Sequence, residues 1–243
     1  MHPVLLSLGP VTIYSYGFML SLAFLSGLFV IVRLGKSEGI EPEKILDIAV
    51  WVILGAIIGA RVLYVILFFG EFRGNLFEIF MIQHGGLVFY GGFFGALLAI
   101  LWRTKRFGLP LWKAFDLATP GTALGYSIAR IGCFLNGCCY GIETSIFCAV
   151  KFPHLQGMRH PTQLYASATV FLVFLALLWL WKRRRFDGQI FLQGVVLYSV
   201  YRFLIEFIRV GPRVMLNLSA SQLLSIMAFV LAGGTLIWKI RRN

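Results

Sequence analysis

Three arginines, Arg61, Arg130 and Arg202, lie within long apolar stretches of this chain, and Glu206 follows Arg202 by one helical turn. An ionisable side chain in such a stretch costs roughly 2.5 to 3.5 kcal/mol on insertion scales, so each needs a partner or a purpose. The four-residue spacing puts Arg202 and Glu206 on one helix face, where a structural ion pair is the plain reading. Three cations against one carboxylate leave positive charge over, and an unpaired buried cation is unfavourable. A guanidinium carries a planar fork of donors that matches phosphate oxygens, so this set suits binding of a phosphate-bearing anion. His84 can give or take a proton near neutral pH. The Gly85-Gly86 pair beside it, read as the start of a helix, would expose backbone N–H groups to a second anion. An anionic phospholipid is the natural ligand for these residues.

The elements that must position them are membrane helices. Of the 243 residues, 59% are hydrophobic and only 13% are charged, about half the charge of a soluble domain. Apolar runs of roughly 20 residues, the length that crosses a bilayer core, recur along the sequence. They predict an all-α polytopic membrane protein with seven transmembrane helices at about 12 to 32, 46 to 69, 86 to 102, 112 to 132, 162 to 181, 190 to 208 and 219 to 238. Residues 1 to 243 are expected to form one transmembrane domain with a small outward loop region at about 133 to 161. The first ten residues hold no Lys or Arg, so the first span lacks the basic leader of a cleavable signal peptide and is expected to stay.

The net charge of +12 does not point to nucleic acid, because the cations follow the odd-numbered spans. Fourteen fall on one side of the membrane and five on the other. The positive-inside rule then places the amino terminus outside and the carboxyl terminus in the cytoplasm. In that orientation Arg61, Arg130, Arg202, Glu206, Tyr14, Tyr16 and His84 share the outer half of the membrane. Glycines four apart, Gly55 and Gly59, Gly91 and Gly95, Gly121 and Gly125, are read as places of close helix packing.

The stretch ARIGCFLNGCCYG, residues 129 to 141, brings Cys133, Cys138 and Cys139 just after Arg130, with Cys148 further on. On the outer side oxidation is permitted, so one or two disulfides are one reading. Four reduced thiols acting as small apolar side chains are a second. A zinc site or a redox relay is a third, although the spacing lacks the usual two Cys-x-x-Cys elements.

The sequence resembles the prolipoprotein diacylglyceryl transferase family over nearly its whole length. The matching residues are Tyr16-Gly17, Gly59-Ala60-Arg61, His84-Gly85-Gly86-Leu87, Asp116 with Pro120, and Arg130 with Phe134, Asn136 and Gly141. They continue with His160-Pro161-Thr162-Gln163-Leu164-Tyr165 and Arg202-x-x-x-Glu206-x-x-Arg209. The family signature usually reads Gly-Arg-x-Gly-Asn-Phe-x-Asn-x-Glu-x-x-Gly; here Ala129, Cys133 and Cys138 replace its first Gly, its Asn and its Glu. Ala166 stands where a Glu often follows Gln-Leu-Tyr.

The resemblance implies a bacterial inner-membrane enzyme that moves the diacylglyceryl group of phosphatidylglycerol to the lipobox cysteine thiol of a prolipoprotein signal peptide. A thioether forms and glycerol phosphate leaves. No cofactor or metal is called for, and the nucleophile belongs to the substrate. His84, Arg130 and Arg202 are the expected catalytic residues, with His84 as base or donor near the thiol and the arginines on the phosphate. Glu206 is expected to orient Arg202, Tyr16 to hold a headgroup oxygen, and Asn136 to position Arg130 or the glycerol. Arg61, Gly85, Gly86, Gly141 and Tyr198 complete the substrate-binding set, Arg61 with a structural role as the competing reading. Rival functions are a membrane thiol oxidoreductase using the cysteines, an anionic-lipid transporter using the arginines, and a repurposed family member.

Overall fold

In a computed structural model, residues 1–8, 11–72, 74–81, 85–153, 155–215 and 217–242 are described. Seven α-helices dominate: α1 Ser15–Ser37, α2 Pro42–Leu67, α3 Phe89–Arg106, α4 Leu111–Asn136, α5 Thr162–Trp181, α6 Gln189–Ile205 and α7 Ala220–Arg242. Five of them, α1, α2, α5, α6 and α7, are long and apolar enough to cross a membrane. Two small antiparallel ribbons join them, β1 (Val4–Leu8) with β2 (Val11–Tyr14) and β3 (Val150–Lys151) with β4 (Met158–Arg159).

The helices fall into two compact units, Met1–Ile31 with Phe115–Asn243, and Val32–Ala114. In the second unit α2 packs on α3 through the predicted glycines. A Cβ on Gly55 would lie 2.6 Å from the Gly95 carbonyl oxygen, and one on Gly59 would overlap the Gly91 carbonyl. Backbones this close exclude any side chain, which is how small residues let two helices gain dispersion contacts where lipid gives no hydrophobic drive. The start of α2 and the end of α3 are tied by Arg103, whose Nε donates to Asp47 and whose guanidinium stacks 5.0 Å from the Trp102 ring.

In the first unit α1 meets α4 in the same manner, a Cβ on Gly27 falling 2.7 Å from the Gly121 oxygen. α6 packs on α5 and α7. The start of α6 is fixed from α4. Asp116, with no exposed surface, accepts 2.7 Å from the Gly188 N–H and 2.8 Å from the Phe191 N–H. These are N–H groups of a helix start that no intrahelical carbonyl can satisfy, and a carboxylate there also faces the positive end of the helix dipole. Asp116 thereby sets the axial position of α6, and so of Arg202 further along it.

Candidate active site

In the first unit the site is built on the ends of α4 and α6 and the start of α1. The Arg130 guanidinium lies 4.6 Å over the ring of Tyr126, one turn earlier on α4. Tyr126 stands edge-on to Tyr198 of α6, with centroids 5.7 Å apart at 87°, and its hydroxyl is 3.4 Å from that of Tyr201. Tyr198 and Tyr201 pack on each other at 5.6 Å, and Tyr198 is within electrostatic reach of both Arg130 and Arg202. Three tyrosines thus pack together beside Arg130, and Tyr198 is within reach of Arg202 as well. Their apolar backing is Ala166, Val170 and Ile205, all buried with Tyr201.

Arg202 is held from two sides. Its guanidinium donates to the Glu206 carboxylate and, 2.8 Å away, to the Ser221 hydroxyl at the start of α7. The same Glu206 oxygen lies 3.7 Å from Arg209 Nε, so one buried carboxylate serves two cations. The α-helix ends at Ile205, and Glu206–Ile208 tightens into a 3-10 turn that swings Arg209 back toward the carboxylate. Arg130 has no carboxylate partner among the described residues.

The loop after α4 follows from its sequence. Gly137 adopts φ 76°, its N–H bonds to the Phe134 carbonyl at 3.0 Å, and the Cys138 N–H bonds to the Cys133 carbonyl at 3.1 Å. This pair of bonds with a left-handed glycine is a Schellman ending, and it folds residue 138 back over residue 133. Thr162 and Gln163, the first residues of α5 and each 1% exposed, donate to the Cys139 and Cys138 carbonyls. Tyr16, at the start of α1, comes to the same place beside Gly132, within electrostatic reach of Arg130. Asn136 lines a cavity of about 380 Å³ with Gly137, Tyr140 and Phe152. Gly141 is a crossing point of backbones: its N–H donates to the His160 carbonyl at 2.9 Å, and a Cβ would come 2.5 Å from the Ile208 oxygen.

The four cysteines are free, so the disulfide reading does not hold in this structure. Cys148 is turned to the Tyr165 hydroxyl, 3.1 Å from its sulfur, while the Schellman turn gathers the other three. Burial raises the Cys138 thiol above its ordinary value. Cys139 is lowered to about 5, first by the hydrogen bond from Cys133, then by that from Cys138 and by the charges of Arg209 and Arg130, against the opposing effect of burial.

In the other unit Arg61 makes five hydrogen bonds to backbone carbonyls. Nε donates to Ile79 at 2.8 Å, one terminal nitrogen to Gly85 and Gly86 at 2.6 and 3.1 Å, and the other to Glu78 and to Met81 at 3.3 Å. A guanidinium has five N–H groups, so its donor capacity is matched within the loop. Tyr64 and Phe72 stack on it at 5.7 and 5.4 Å. The helix expected to open at Gly85-Gly86 begins instead at Phe89, capped by Val88. Both glycines have positive φ, 87° and 75°, and turn their carbonyls to Arg61, which is why the helix cannot include them. His84 lies outside the described residues.

Comparison with known proteins decides the family. The model of the family described as prolipoprotein diacylglyceryl transferase matches residues 3–238. The chain belongs to this family. It is 38% identical over 245 residues to the phosphatidylglycerol–prolipoprotein diacylglyceryl transferase of Finegoldia magna, covering 100% of this chain and 97% of that protein. It is 33% identical to the enzyme of that name from Clostridium tetani (100% and 98% covered) and 32% identical to that from Synechococcus elongatus (97% and 86% covered). Sequence reasoning missed Tyr126, Tyr201 and Ser221 among the groups around the two arginines. Tyrosines in apolar spans read as packing, and Ser221 is brought to Arg202 by a turn that no spacing rule foretells.

Proposed function

We propose that this protein transfers the diacylglyceryl group of phosphatidylglycerol to the lipobox cysteine of prolipoproteins, with Arg130 as the residue that meets the phosphate. The observation that carries the reading is a half-buried guanidinium, stacked on Tyr126 and without a carboxylate partner among the described residues, with Tyr198 within reach of both it and Arg202. Family membership supplies the substrates. In the reaction the thiol sulfur attacks the glycerol carbon that bears the phosphate. A C–S bond forms, the C–O bond to phosphate breaks with its electron pair on oxygen, and glycerol phosphate departs. The thiol proton passes to His84 and leaves with the phosphate ester. Negative charge grows on the leaving oxygen, which is where paired guanidinium hydrogen bonds gain most.

In this scheme Arg202 stabilises the same charge, and Glu206 orients it. Tyr16 and Tyr198 hold headgroup oxygens, and Asn136 and Gly141 shape the glycerol side. Arg61 is a positioning residue that gathers the loop around Gly85 and Gly86. The membrane arrangement we propose adds α3 and α4 to the five long apolar helices, giving seven spans in one catalytic domain. The amino terminus is outside the bacterial inner membrane, the carboxyl terminus is cytoplasmic, and the site faces the outer leaflet. The orientation rests on the fourteen-to-five distribution of cations.

The test is transfer from phosphatidylglycerol to a lipobox peptide by the purified protein in detergent, read by the mass of the thioether product, in the wild type and with all four cysteines changed to Ser. Transfer by both forms is the expected result. A peptide that is oxidised or left unmodified by the folded wild type would overturn the reading, and transfer lost only with the cysteines would move the chemistry onto them.

A further inference from the structure

The three-cysteine cluster at the end of α4 is not used by the transfer chemistry and has the form of a ligand set. The sulfur atoms of Cys133, Cys138 and Cys139 all lie within 4.8 Å of one another. Thiolates around a tetrahedral zinc-type ion at about 2.3 Å stand about 3.8 Å apart, so sulfurs gathered within 4.8 Å are close to the spacing an ion needs. The chain itself is already fixed. Cys133 is in helix, Cys138 is pinned by the Schellman bond, and the carbonyls of Cys138 and Cys139 are clamped by Gln163 and Thr162. Cys139 holds φ 64°, a left-handed conformation uncommon for a residue with a side chain, and such outliers gather where surrounding structure enforces a geometry. Cys133 is 8% exposed while the other two are half-buried, which leaves an entry side.

We propose that Cys133, Cys138 and Cys139 form a three-thiolate site for a soft d10 cation of the zinc, cadmium or copper(I) class. Thiolate is the ligand such ions select over imidazole and carboxylate. Three thiolates around a divalent ion carry one net negative charge, and the charges of Arg209 and Arg130 already act on Cys139. The spacing C-x4-C-C escapes the usual zinc pattern because the Schellman turn, and not a Cys-x-x-Cys knuckle, brings the sulfurs together.

The experiment is titration of the intact, reduced protein in detergent with Cd(II) under anaerobic conditions, followed by thiolate-to-cadmium charge-transfer absorption and by bound metal per chain. Wild type is compared with Cys133→Ser, Cys138→Ser, Cys139→Ser and, as control, Cys148→Ser. One Cd(II) per chain is expected, with affinity lost at least about tenfold in each of the first three, since loss of an outer-shell partner alone does that much. Cys148→Ser should bind as wild type does. Binding should release protons and weaken as pH falls, because the ligands must be deprotonated. A folded wild type that takes up no Cd(II), or takes it up equally in all four variants, overturns the site. So does peptide mapping that finds Cys133 joined to Cys138 or Cys139 by a disulfide in the reduced, anaerobic sample. Melting of each variant separates loss of a ligand from loss of fold.

Discussion

Replacing Arg130 tests the proposed site most directly, because its structural and chemical contributions differ in size. Its main contact is with Tyr126, whose ring lies 4.6 Å away in a cation–π interaction of about 0.5 to 2 kcal/mol, with a side-chain hydrogen bond to the same residue. A domain with roughly 5 to 15 kcal/mol of stability survives that loss. Two charge-assisted hydrogen bonds to a leaving phosphate contribute roughly 1.5 to 3 kcal/mol each. At about 1.4 kcal/mol per decade, their removal lowers transfer by roughly two to four decades. Arg130→Gln should therefore reach the membrane and melt within a few degrees of wild type, yet lose about a hundredfold or more in kcat/KM. Arg130→Lys retains the charge and loses the fork, so about one bond is lost and the expected decline is roughly ten- to hundredfold. Because the charge develops in the transition state, kcat should fall along with kcat/KM in both variants. The assay is steady-state transfer to a lipobox peptide with phosphatidylglycerol varied in mixed micelles. If Arg130→Gln transfers within about threefold of wild type, the phosphate contact is elsewhere and the argument from an unpartnered guanidinium fails. A rise in KM at constant kcat would restrict Arg130 to ground-state binding and refute its place on the leaving group.

Three further outcomes follow from other parts of the molecule. Asp116→Ala removes both bonds that hold the start of α6 and should destabilise the protein by about 2 to 5 kcal/mol, with Asp116→Asn milder because one acceptor remains; equal melting of all three forms would show that α6 is set otherwise. Gly95→Ala drives a methyl into the Gly55 carbonyl and should cost about 1 to 3 kcal/mol, whereas Gly233→Ala, with nothing within 4 Å, should be neutral or slightly stabilising; thermal unfolding in one detergent compares them, and equal effects would refute the close contact of α2 and α3. Cys139, lowered to about 5, stays a thiolate as pH falls from 8 to 6 and protonates only below that. Its carboxamidomethylation, mapped by mass spectrometry, should be flat across this interval, while an ordinary thiol with a pKa of about 8.5 reacts roughly tenfold faster per pH unit there; a tenfold-per-unit rise at Cys139 would contradict the lowered value.

How much of this was legible from sequence depends on whether the controlling contact is local. The span read at 162 to 181 coincides with α5, and the others lie within a few residues of their helices. Apolar length is a property of the segment itself. The expected 112 to 132 runs on to Asn136 because the Schellman glycine at 137, not the last apolar residue, ends α4. The expected start at 86 moves to Phe89 for a reason no local pattern holds: the carbonyls of Gly85 and Gly86 are drawn to Arg61, more than twenty residues earlier. The Arg202–Glu206 pair, one turn apart, was readable; Ser221, which completes the hold on Arg202, was not. Arg61 illustrates the limit of counting charges, since a buried arginine can be satisfied by carbonyls alone and then has no need of an anion.

The departures at 133, 138 and 166 make sense together when charge is followed through the site. Ala166, at 2% exposed, packs with Val170, Tyr201 and Ile205, an environment in which a carboxylate would be desolvated and without an evident partner. A Glu at 138 would put a negative charge in this turn; Cys138 is neutral there, its thiol raised by burial. The charge is not simply lost, because the adjoining Cys139 is the thiol that Arg209 and Arg130 help to ionise. Cys133 completes the exchange, since its hydrogen bond to Cys139 is the largest contribution to that ionisation. A negative group is thus retained, moved by one residue and changed from oxygen to sulfur, and it lies near Arg209. Arg130 remains without a carboxylate among the described residues, as a phosphate-binding role requires, and the price of the exchange is a site whose charge balance now depends on keeping three thiols reduced.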